Sequence, residues 1–169
     1  MRIAQFISSS FAHTASTWRN DWAWGLPLIV LTVVIHTLGL GLISQMAVRV
    51  SSRLIERCHC MAVFVMVIGT TTLLATILHW IEACIWAAAY RLLGALPDTK
   101  SAMLYSLNAI TSYGHANLVL EDHWQLMGAM EALNGWLLFG LTTALLFGII
   151  HKVWLLDIRG GLRSSLKMA

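Results

Sequence analysis

Charge is scarce in this sequence. Only 11% of its 169 residues are Asp, Glu, Lys or Arg, while 58% are hydrophobic. Soluble domains carry about 25% charged residues, so an ordinary water-facing surface cannot be built from this chain. Its mean hydropathy, +0.73, points to a membrane protein. Two prolines leave long stretches free to remain helical. Three cysteines, Cys58, Cys60 and Cys84, are too few for a disulfide-dense scaffold. The sequence shows no repeat, no low-complexity tract, no nucleotide or calcium motif, and no span with regularly repeated arginines. Its length suits one compact membrane domain without a separate soluble catalytic domain. The formal charge of +3 needs no nucleic acid to explain it, because basic residues flank membrane spans on the cytoplasmic side.

What is there is long apolar runs. A span needs about 20 such residues to cross a hydrocarbon core of about 30 Å. Residues 25–48 meet this without an acid, Lys or Arg. Residues 60–90 meet it with His79 and Glu82 in their second half, and 132–150 form a third span extended back through Met127 and Glu131. Arg49, Arg53 and Arg57 lie between the first two spans, and Lys152, Arg159, Arg163 and Lys167 follow the third. The positive-inside rule makes both regions cytoplasmic and places the N-terminus outside. The expectation is a multi-pass protein of a bacterial inner membrane, with lipid as a partner. Residues 1–24 read as an external or interfacial segment without the apolar core of a signal peptide. Residues 153–169 read as a short basic tail suited to anionic headgroups.

One stretch fits neither span nor loop. "LYSLNAITSYGHANL", 104–118, is too short to cross and too apolar for an exposed connection. Pro97, Asp98, Thr99 and Ser101 supply helix-start chemistry, and "AMLYSLNAI" then reads as a short apolar helix. "SYGHAN" lacks a helical signal. A segment that enters and leaves by one face must satisfy its backbone inside protein or around water. A helix C-terminus followed by bare carbonyls suits a cation.

On these residues the chain resembles the pore domain of the potassium channel family. Members read approximately S-L-x-T-x-T-T-V-G-Y-G-D after a short pore helix, and this chain reads "SLNAITSYGHAN" from Ser106. Ser106, Leu107, Thr111 and Gly114 match, and "WQLMGAMEALNGWLLFGLTTALLFGII" looks like the inner helix. The resemblance covers about residues 60–152, leaving 25–48 as an extra first span. It implies an all-α fold of three transmembrane helices, with a re-entrant pore helix and filter loop between the second and third. It also implies a homotetramer that conducts K+ or Na+ passively, without enzymatic activity or a cofactor. The ion path would be lined at Thr111, Ser112, Tyr113, Gly114, His115 and Ala116. Asn108, Asn117 and Glu131 would support the filter, and Gly135 would be the gating hinge. The chain departs from the family at Tyr113 (valine), His115 (tyrosine), Ala116 (the second glycine) and Asn117 (the outer aspartate). Altered selectivity is therefore expected.

Several residues carry two readings. His79 and Glu82 share a helix face, either as a polar strut near Arg91 or as a proton or metal site. Glu131 packs behind the filter or sits at the interface. His36 bonds a neighbouring helix or has a function of its own. Thr142 and Thr143 line an inner vestibule or bond their own helix. Glu121, Asp122 and His123 concentrate cations or are simply solvated. Cys58, His59 and Cys60 are ordinary juxtamembrane residues or the start of a metal site. Two rival functions follow: a non-conducting channel-like subunit or scaffold, and an intramembrane metal-binding protein or enzyme centred on His79, Glu82 and Glu131.

Overall fold

The computed structural model describes the backbone of residues 2–54, 60–114, 118–121 and 124–168, and the side-chain surroundings of 18–51, 61–114, 118–121, 124–152 and 154. These residues form four helices and no strand: α1 Arg2–Leu54, α2 Cys60–Leu92, α3 Thr99–Ile110 and α4 Gln125–Met168. Within α1, α2 and α4, the segments Trp18–Ser51, Met61–Leu92 and Gln125–Lys152 are long and apolar enough to cross a membrane. Only 22–28% of each most apolar window is buried inside the chain. Most of that apolar surface needs a non-aqueous surrounding, and a bilayer supplies it. The backbone of residues 2–24, expected as a separate segment, is helical and runs unbroken into the first span.

The chain divides into two compact units. The first holds residues 1–34 and 80–138, and the second holds 35–79 and 139–169.

The core of the first unit is aromatic. Trp86, Tyr90, Tyr105, Trp124 and Met127 cluster with Ala102 and Leu120. Tyr90 and Tyr105 meet edge to face at 5.3 Å, the arrangement that aromatic quadrupoles favour. Glycine sets how closely α3 can lie on α4. A Cβ at Gly128 would strike the Tyr105 hydroxyl, and one at Gly135 would strike the Ile110 carbonyl backbone.

Helix α3 has chemically defined ends. Asp98, extended at φ −144°, accepts from the Ser101 amide at 2.9 Å and the Ser101 hydroxyl at 2.6 Å. This is N-capping, which satisfies a donor that the helix cannot. At the other end Ser112 adopts φ 53°. Its N–H donates to the Ala109 carbonyl, and the Tyr113 N–H reaches back to the Asn108 carbonyl. The two bonds make a Schellman motif, with Ser112 in the left-handed position usually held by glycine.

In the second unit, Leu40 and Ile43 of α1 pack on Leu78 of α2. Ala47, Val63, Val67 and Ile149 form a second cluster joining α1, α2 and α4.

Two outcomes follow. Gly135→Ala should lower thermal stability in detergent by about 1–3 kcal/mol through overpacking. Gly140→Ala, which meets nothing within 4 Å, should not, and equal effects would discount the close approach at Gly135. The Asp98 cap should also depend on pH. Bonds from the Ser101 hydroxyl and amide hold the Asp98 carboxyl below its ordinary value. The cap is thus intact above about pH 3.9 and lost as the pH falls through the lowered value. The protection of the Ser101 amide, taken relative to its intrinsic exchange rate at each pH, should fall on acidification, and in Asp98→Ala should be low throughout.

Candidate functional site

The polar residues of the first unit converge on α3. Glu131 of α4 is fully buried. The Tyr90 hydroxyl of α2 donates to Glu131 Oε2 at 2.7 Å, and Ser106 of α3 makes a close hydrogen bond with Glu131 Oε1. Ser106 Oγ also donates to the Ala83 carbonyl of α2 at 2.8 Å. A serine hydroxyl has a single proton to give. All three bonds form together only when Glu131 carries a proton, donates to Ser106 and accepts from Tyr90. No cation partners Glu131 among the described residues. That fits a neutral acid, because burying an unpaired carboxylate is costly. Glu131 is thus packed in the interior against α2 and α3.

One turn further along α4, Asn134 Nδ2 donates to Thr32 Oγ1 of α1 at 2.8 Å. Thr32 passes its own proton to the Leu28 carbonyl. Glu82 is fully buried within the same unit, and Arg91 donates to the Leu96 carbonyl at 2.8 Å.

The expected ion-path residues sit at and beyond the C-terminus of α3. Thr111 turns its hydroxyl onto the Leu107 carbonyl at 2.6 Å. Trp136 Nε1 of α4 donates to the Ser112 hydroxyl at 2.8 Å, holding the left-handed cap. Tyr113 is 85% exposed, and Gly114 follows at φ 94°. The Asn108 side chain is half-buried, and its carbonyl receives the Tyr113 N–H. His115, Ala116 and Asn117, with Asp122, His123, Cys58 and His59, lie outside the described residues. Gly135, expected as a hinge, is where α4 touches the α3 backbone.

The second unit holds a separate polar node. His36 of α1 is fully buried, and its Nε2 lies 3.0 Å from Thr142 Oγ1 of α4. His79 Nε2 of α2 lies 3.2 Å from the same oxygen. The two imidazole centroids are 5.0 Å apart, and Phe139 stacks on His79 at 5.7 Å. His36 does bond a neighbouring helix, as one of its two readings held. Thr143 bonds its own helix at the Phe139 carbonyl.

Sequence reasoning missed Tyr90, Asn134, Thr32 and Trp136 as partners. Polar residues inside apolar spans are the only local signal for them, and that signal does not say which pair with which. The chain matches no known family model, no curated protein and no solved structure.

The carboxyl of Glu131 has a direct test. Glu131→Gln supplies an amide donor for Ser106 and an oxygen for Tyr90, so helix packing and thermal stability should hold. Glu131→Ala should lose about 1–3 kcal/mol for each stranded hydroxyl. If glutamine is as damaging as alanine, the acid is not acting as a neutral bridge.

Proposed function

We propose that this chain is a pore-forming subunit of a cation channel. In this reading α3 and the loop after it form a re-entrant segment, and copies of the chain, four by the family resemblance, surround a central path. One observation carries the reading. Both ends of the inter-span segment lie in the same core cluster, Ala95 and Leu96 on entry and Leu120 and Trp124 on return. Between them Ile110 reaches Gly135, ten residues into α4 from Gln125. Ten residues of helix rise about 15 Å, half of a hydrocarbon core of about 30 Å. A 12-residue helix is about 18 Å long and cannot cross. In this reading the segment goes in and comes back.

At its deepest described point the turn 111–114 is wholly exposed in the single chain. Polar backbone at membrane depth must face water or other protein. A watery axis bounded by further copies supplies both. The helix C-terminus aims its partial negative charge at that axis, and K+ or Na+ would pass the carbonyls of Tyr113 and Gly114.

A second reading has its own support. The Schellman bonds engage the carbonyls of Asn108 and Ala109, and the Leu107 carbonyl accepts the Thr111 N–H. A turn that donates its N–H groups to the last helix carbonyls leaves those carbonyls engaged, which suits a channel-like subunit that assembles without conducting.

Flux measurement separates the two. Purified protein in liposomes should pass potassium or sodium, and the particle mass should be that of several chains. With the native cysteines replaced, Tyr113→Cys should become sensitive to a water-soluble thiol reagent that blocks flux. Flux indifferent to modification at Tyr113 would remove the loop from the path. An oligomer with no flux in any gradient would favour the non-conducting subunit.

A further inference from the structure

We infer that His36, His79 and Thr142 form an intramembrane site for a late first-row transition-metal ion, zinc or copper. Three helices each contribute one donor. The two imidazole Nε2 atoms approach the Thr142 hydroxyl at 3.0 and 3.2 Å, and the ligand nitrogens of His36 and His79 lie within 4.8 Å of each other. Donors bonded to one ion at 2.0–2.1 Å with tetrahedral angles stand about 3.4 Å apart. Two sides of the donor triangle, at 3.0 and 3.2 Å, already stand near that spacing.

The chemistry of the donors selects the ion. Imidazole nitrogen suits zinc, copper and nickel, whereas magnesium and calcium require sets of oxygens. The unit holds no cysteine among its described side chains, which sets the site apart from thiolate centres.

The arrangement without an ion is asymmetric. Thr142 can donate its proton to one nitrogen and must accept from the other, so the two rings present opposite tautomers at Nε2. A metal requires a lone pair from both. One ring therefore moves its proton from Nε2 to Nδ1, and binding needs no net proton release. His36 is fully buried, while His79 is partly exposed. The ion enters past His79. Phe139, stacked on that ring, orients it.

This site and the proposed ion path use different residues, so either claim can fail alone. The test uses full-length protein carrying a histidine-free affinity tag, held in lipid nanodiscs and titrated separately with Zn2+, Cu2+ and, under reducing conditions, Cu+. One ion per chain is expected for at least one of the three. His36→Gln and His79→Gln should each weaken binding more than about 100-fold, beyond the 10–100-fold lost with indirect contacts. Thr142→Val should weaken it less. A measurement on the unaltered chain covers the case in which variants misfold: Cu2+ should show nitrogen hyperfine lines from two imidazoles by electron paramagnetic resonance. No stoichiometric ion, or full binding in the His36→Gln/His79→Gln double variant, would overturn the assignment. So would a copper spectrum without nitrogen coupling. Liposome flux that persists in the double variant would leave the channel reading untouched whichever way metal binding falls.

Discussion

The first unit hangs on one carboxyl group. Glu131 has no charged partner among the described residues, and its two oxygens are used by hydroxyls from two other helices. In an apolar medium such bonds have no water to exchange with, so their loss costs more than at a surface. The carboxyl fixes α4 against α3 at Ser106, and Tyr90 fixes α2 to the same point. Ser106 then ties α3 to the α2 backbone at Ala83. Place those atoms, and the position of α3 against α2 and α4 is decided.

That position in turn constrains the sequence around the turn. Helix α3 can reach Gly135 only because nothing projects from α4 there. It can stop where it does only because Ser112 accepts a left-handed backbone, a cost of roughly 1–2 kcal/mol for a residue with a Cβ. The Trp136 indole bond to its hydroxyl offsets part of that cost. The turn after α3 thus rests on a carboxyl, a glycine and an indole, all supplied by α4.

Much of the architecture was legible without coordinates. Hydropathy located 25–48, 60–90 and 132–150, and the structure carries apolar spans over Trp18–Ser51, Met61–Leu92 and Gln125–Lys152. Asp98 and Ser101 announced the start of α3, because capping is local chemistry that shows at three-residue spacing. The end of α3 was not legible. Serine in a left-handed cap carries no composition signal, since glycine is the residue normally read for it. Nor could spacing show that Glu131 would meet Ser106 and Tyr90, or that Thr142 would meet both His36 and His79. These pairs join residues far apart in sequence, and only helix packing brings them together. The resemblance to potassium channel pores placed Ser106 and Glu131 at family-like positions but did not specify the bond between them.

The buried polar residues described on α4 share a further trait. Glu131 meets Tyr90 and Ser106, Asn134 meets Thr32, and Thr142 meets His36 and His79. Every partner is encoded upstream. During synthesis, which proceeds from the N-terminus, α4 is the last of these helices to leave the ribosome. Its acid, amide and hydroxyl therefore enter the bilayer after their acceptors and donors are already there. The earlier helices act as a waiting template, and Glu131, Asn134 and Thr142 never have to reside alone in lipid.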